Sequence, residues 1–194
     1  MKAAHLCFLE AGSQPLVTSS VALSPVFSKN CFRKEDGGLL ELWEAGPHAT
    51  SCHLKHARTA INGATQTLDG STAYWCEGIS QDDDAGVAPL STSLIHTVRF
   101  NVPHEWLAEF DAWYEQEHVP ILMAAPEWRA ICRFSVLEGG PPFFNRMAIH
   151  YLSDASAFQS PVRAQARATE WRARLSKHAW FNEGVYVQYT REGK

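Results

Sequence analysis

Hydrophobic and polar positions are most regular in the second half of the chain. Residues 94–102 form a strand-like run that includes His96 and Arg99 and is ended by Pro103. Beyond it, Trp106, Leu107, Phe110, Trp113 and Tyr114 recur at helical spacing, while Glu105, Glu109, Asp111 and Glu115 fall elsewhere around the wheel. This pattern predicts one amphipathic helix, stopped at Pro120 because proline disfavours helical geometry at Val119. Two β-like runs, 129–137 and 143–152, flank a Gly- and Pro-rich connection at 138–142 and predict an antiparallel pair. A second helix is predicted from Asp154, a candidate N-cap. It carries Ala164, Ala168, Trp171, Leu175 and His178 on one stripe, with Arg163, Arg167, Arg172 and Arg174 on its flanks or back. A last strand covers 184–190. The order is βαββαβ, the ferredoxin-like arrangement in which two helices cover one face of a four-stranded antiparallel sheet.

The first half repeats this order more faintly. Strands are expected at 4–9, 30–34, 39–44 and 73–77, with a hairpin turn at 35–38 and helices over 17–28 and 50–64. Residues 81–93 are acidic and polar, contain Gly and Pro, and lack either periodicity, which predicts a linker. The expected division is therefore an N-terminal ferredoxin-like half at 1–80, a linker at 81–93 and a C-terminal ferredoxin-like half at 94–194.

Composition narrows the function. The 194 residues carry a net charge of -4 and no Lys/Arg-dense stripe, so nucleic acid and anionic membranes are not expected partners. The N-terminal apolar stretch is too short and interrupted for a signal peptide, and no segment reaches membrane-spanning length, which predicts a cytoplasmic protein. Five cysteines, odd in number and without a CxxC pair, suit reduced thiols. No Gly-rich phosphate loop, GxSxG elbow or HExxH motif is present in the sequence. On a helix, His48, Cys52 and His56 would form i,i+4 pairs able to converge on zinc. The local pattern instead predicts surface histidines in a loop, and no metal is expected.

The segment from Phe110 to Pro120, with Trp113-Tyr114 and Glu117-His118, followed by Trp128 and a strand carrying Arg133-Phe134, resembles EthD-like members of the dimeric α/β-barrel superfamily. Trp171 to Leu175 and Gly184-Val185-Tyr186 resemble the close of such domains, so the similarity spans residues 94–190. The resemblance implies an α+β fold of tandem ferredoxin-like halves whose antiparallel sheets form a dimeric α/β-barrel type of arrangement, closed within one chain or across the two-fold axis of a homodimer. It also implies a pocket between sheet and helices. Activities in the superfamily include polyketide cyclisation, isomerisation, dehydration, cofactor-free oxygenation and haem chemistry.

On an ideal wheel Glu117 falls within the aromatic stripe and His118 just outside it. His118 serves as a general base or acid with Glu117 orienting the site, or else Glu117 pairs with Arg133 or a backbone N–H and His118 caps the helix. Arg133 and Arg99 occupy strand centres and could bind an enolate or carboxylate. His150 and Tyr151 alternate across one strand, so one of them faces the pocket. Trp113, Tyr114, Trp128 and Trp180 could wall a flat apolar ligand, and His178 reads as a packing or capping residue. The leading expectation is a cofactor-independent enzyme that moves a proton on a carbonyl-containing aromatic, lactone or polyketide-like small molecule. Its rivals are haem or O₂ chemistry, with iron on His118, His150 or His178, and a non-catalytic ligand-binding or stress-responsive barrel.

Overall fold

Alternation and turn chemistry set the elements of the computed structural model, which describes residues 5–11, 27–45, 48, 50–65, 71–82 and 92–191. The chain is α+β. Contacts divide it into two units: Met1–Ile79 with Phe134–Phe143 and Tyr189–Lys194, and Ser80–Arg133 with Phe144–Gln188.

In the first unit, strands β1 (His5–Ala11), β2 (Phe27–Arg33), β3 (Leu39–Ala45) and β4 (Thr72–Asp82) pair antiparallel in the order β4–β1–β3–β2. The β2–β3 connection is the expected hairpin. Gly37 adopts a φ of 90°, open to glycine at little cost, and the Lys34 N–H donates to the Gly38 carbonyl at 2.7 Å. Helix α1 (Ser51–Thr65) places Ala57 and Ile61, one helical turn apart, against Trp43 and Trp75. The stretch expected to hold histidines in a loop is thus helical from Ser51, with His53 Nδ1 accepting from the Thr50 N–H at 3.1 Å. Among the described residues no group of His, Cys, Asp or Glu is placed to hold a metal ion. The helix expected over 17–28 falls largely on residues 12–26, outside the described residues.

The second unit carries the βαββαβ order. Strands β5 (Leu94–Phe100) and β7 (Arg146–Leu152) pair antiparallel, with His96 opposite His150 and Phe100 opposite Arg146. The sheet order is β8–β5–β7–β6, where β6 is Trp128–Gly139 and β8 is Val185–Arg191. Both β6 and β8 begin in this unit and end in the first. The helices bury a cluster that includes Phe100, Phe110, Trp113, Trp128 and Phe181. At about 25 cal/mol per Å² of apolar surface, burying side chains of this size is the main stabilising term for the unit.

Two helix expectations are corrected. The helix after β5 does not stop at Pro120: α2 (Leu107–Trp113) runs into a π-helical turn (Tyr114–His118) and on into α3 (Val119–Met123). Pro120 stands where the π-helical turn hands over to α3. The helix expected from Asp154 is instead a 3₁₀ turn (Ala155–Gln159) and three short helices, α4 (Pro161–Arg167), α5 (Glu170–Leu175) and α6 (Ala179–Asn182). Asp154, Ser160 and Thr169 each accept a backbone N–H at the start of a segment, so the caps restart the helix that an unbroken wheel assumed.

Candidate functional site

A cavity in the second unit, of about 60 Å³, lies between the β5–β7 face and the helices. Its walls include Phe100, Trp113, Tyr114, Trp128, Phe181 and Tyr186, and its polar lining is His96, His118, His150, Arg163, Arg167 and Arg172. On β5, alternation puts His96, Val98 and Phe100 on the cavity face. The His96–His150 pairing across strands brings two imidazoles to one wall, with ring centroids 5.8 Å apart.

The π-helical turn positions His118. An i→i−5 hydrogen bond, here from the Val119 N–H to the Tyr114 carbonyl, encloses one residue more than an α turn, so the fifth residue along returns to the starting face. The His118 ring therefore packs 4.6 Å from Trp113 and 5.0 Å from Tyr114, centroid to centroid. Glu117 stays beside the same tryptophan, accepting from its Nε1 at 3.1 Å.

Hydrogen bonding assigns the protons of the inner wall. Trp128 Nε1 donates to His150 Nδ1 at 3.0 Å, and an indole can only donate. His150 Nδ1 is therefore the bare nitrogen of a neutral ring, and Nε2–H donates to the Tyr114 hydroxyl 3.1 Å away. Burial, followed by the neighbouring His96 and His118, keeps His150 well below its ordinary pKa, consistent with this tautomer. The proton of Tyr114 is consequently not spent on His150, and burial raises the phenol's pKa far above its usual value. Tyr114 is thus a neutral hydrogen-bond donor at the cavity wall.

His118 and His96 are built alike. The Ala166 backbone hydrogen-bonds the His118 imidazole, while its Nδ1 is buried with no hydrogen-bond partner, so Nε2 carries the proton and Nδ1 the lone pair. His96 is held by the Val187 backbone with Nδ1 likewise unpartnered. Burial and then nearby arginines lower His118 to about 3 and His96 to about 4, so both rings are neutral at ordinary pH. Two buried acceptors without donors cost about 1–3 kcal/mol each, which a bound ligand could recover.

Of the residues expected from sequence, Trp113, Tyr114, His118, Trp128 and His150 meet in this cavity. The others stand outside its lining. Arg133 donates to the Asp111 carbonyl at 3.1 Å and to Glu115 Oε2 at 3.4 Å, not to Glu117 as the pairing expectation had it. Arg99 is buried with its guanidinium 5.4 Å from the Phe144 ring, Tyr151 is buried on the opposite side of β7 from His150, and Trp180 packs on Phe110 at 5.8 Å. Sequence reasoning missed His96 and the arginines. The alternation of β5 carried a signal for His96, whereas the arginines were assigned to the back of a helix that is in fact broken.

No family model and no curated protein matches the chain. Solved structures do. One, an anthrone oxidase-like protein, has a TM-score of 0.67 at 12% identity, covering 100% of this chain and 92% of its own. The fold is ferredoxin-like. A ferredoxin-fold protein from Listeria monocytogenes, related to antibiotic biosynthesis monooxygenases, aligns with a TM-score of 0.59 at 9% identity, covering 100% and 97%. A heme-degrading enzyme from the same species gives 0.54 at 8% identity, covering 98% and 100%. At these identities the likeness concerns the fold. Among the described residues, no helix is long and apolar enough to cross a membrane.

Proposed function

We propose that the chain is an EthD-like, cofactor-independent enzyme that removes a proton from carbon next to a carbonyl group in a flat, largely apolar small molecule. His118 Nδ1 takes the proton, and the Tyr114 hydroxyl donates to the carbonyl oxygen as negative charge gathers there. The observation that carries this reading is the pairing of a neutral, unpartnered imidazole acceptor with a phenol whose own proton is released from His150 by the Trp128 indole. Aromatic walls exclude water from the developing enolate. Whether the enolate then cyclises, eliminates, is reprotonated elsewhere or meets O₂ depends on the substrate. In the same reading, residues 1–80 and 94–194 are the two ferredoxin-like halves, joined through 81–93.

Of the three histidines considered for iron, two are committed elsewhere: both ring nitrogens of His150 are engaged, and His178 packs 4.0 Å from Trp106 outside the cavity lining.

Anthrone, named in one structural neighbour, is a convenient probe because its methylene protons are acidified by conjugation to the carbonyl. In deuterated buffer, the protein should accelerate methylene exchange over buffer alone. His118→Gln should remove about 10²–10⁴-fold of that acceleration, and Tyr114→Phe should lower it as well. Equal exchange by the wild type and a folded His118→Gln protein overturns the reading and leaves a binding pocket without catalysis.

A further inference from the structure

Arg163, Arg167 and Arg172 all line the cavity, and no ion pair joins any of them to a carboxylate among the described residues. Three other arginines of this unit do have a carboxylate partner. Arg133 pairs with Glu115, Arg146 with Asp111, and Arg174, two residues from Arg172, with Glu109. The sequence has 21 acidic residues and a net charge of -4, yet among the described residues these three guanidinium groups have no carboxylate partner. Burial and mutual repulsion lower the pKa of Arg163 and Arg172, so their proximity is unfavourable unless an anion offsets it.

Two of the guanidinium groups are held in place. Arg163 Nη1 donates to the Phe158 carbonyl at 2.9 Å and its guanidinium lies 5.4 Å from the Phe158 ring. Arg172 Nη1 donates to the Arg167 carbonyl at 3.3 Å and its guanidinium lies 5.4 Å from Phe181, itself a cavity wall. These contacts use one N–H of each fork and leave others for a bidentate acceptor.

We propose that the substrate is an aromatic carboxylate, its ring between the aromatic walls and its carboxylate on Arg163, Arg167 and Arg172. The inference deepens the proton-transfer reading by naming the substrate class, but binding can be tested without turnover. The probes are 2-naphthoate, neutral 2-naphthamide and 2-naphthyl phosphate, titrated against the whole protein by tryptophan fluorescence. Naphthoate should bind at least about tenfold more tightly than the amide, and Arg163→Gln and Arg172→Gln should each erase most of that difference, the loss of one charge-assisted contact corresponding to about tenfold. Arg174→Gln, outside the lining, should bind as the wild type does. Equal affinity for acid and amide, naphthoate binding unaffected by the cavity arginines in folded variants, or a strong preference for the phosphate overturns the proposal. If arginine-dependent binding persists without anthrone exchange, only the proton-transfer reading falls. If exchange depends on His118 but naphthoate does not bind, only the carboxylate falls.

Discussion

Histidines held neutral inside the second unit tie its stability to pH. His118 titrates at about 3 and His96 at about 4 in the folded chain, against about 6.5 for an unfolded ring, and His150 is also well below its ordinary value. Between these folded values and about 6.5, the unfolded chain binds protons that the folded chain does not, so stability rises with pH across the window. The contribution is complete above about pH 6.5 and is lost on acidification until the folded values are reached. Near pH 5 an unfolded imidazole is almost fully protonated, while His96, His118 and His150 in place are mostly neutral, so the uptake approaches three protons. Each proton is worth about 1.4 kcal/mol per pH unit. Because His96 and His118 are partly reached by solvent, the expected slope is about 2–4 kcal/mol per pH unit, a large share of a typical stability of about 5–15 kcal/mol. Urea unfolding followed by tryptophan fluorescence from about pH 5 to pH 7 measures it. Carboxylates also titrate toward the acid end, so His118→Gln isolates one ring, and its stability curve should be flatter than that of the wild type by about one proton. Parallel curves for the two proteins would refute the claim that His118 is held neutral.

Trp128→Phe removes the donor that fixes the His150 tautomer and leaves Nδ1 buried without a partner, at a cost of about 1–3 kcal/mol. The ring can then accept from Tyr114, so anthrone exchange should fall by more than the melting temperature accounts for; unchanged exchange would disconnect the relay from catalysis. Binding of 2-naphthoate should be accompanied by uptake of a fraction of a proton near pH 5, read by calorimetry in buffers of different ionisation enthalpy. No uptake in a protein that binds naphthoate would show that the carboxylate does not reach the field of the imidazoles.

The fold was legible because strands and turns write themselves locally. The Glu35-Asp36-Gly37-Gly38 turn has Gly37 at the one position of positive φ among the described residues, and the run at 94–102 reads as a strand although both faces of β5 are buried. The candidate site was half legible. Trp113, Tyr114 and His118 belong to a helix whose aromatic stripe is plain, and Trp128 and His150 lie on evident strands. What could not be read was register. Nothing in Tyr114-Glu115-Gln116-Glu117-His118 signals that the helix widens by one residue there, so the wheel put Glu117 rather than His118 on the aromatic face. Likewise, Ser160 and Thr169 are ordinary mid-helix residues on a wheel and become caps only when the chain turns, which brings Arg163, Arg167 and Arg172 to the cavity together.

The arginines bear on the base as well as on the substrate. A general base works best with a pKa near the working pH, and at about 3 His118 is by itself a poor one. After burial, the causes of that low value are Arg172 and then Arg167, opposed by the Ala166 hydrogen bond. A carboxylate bound on those same guanidinium groups would offset their field and raise His118, while burial, the larger cause, continues to hold it down. The substrate would thus strengthen the base that acts on it. An uncharged analogue, even one that fits between the same rings, would leave the imidazole as weak as before. Discrimination between an anthrone bearing a carboxylate and the corresponding carboxamide should therefore be greater in the rate of methylene exchange than in affinity, since charge on the ligand is used once to hold it and again to raise the basicity of Nδ1.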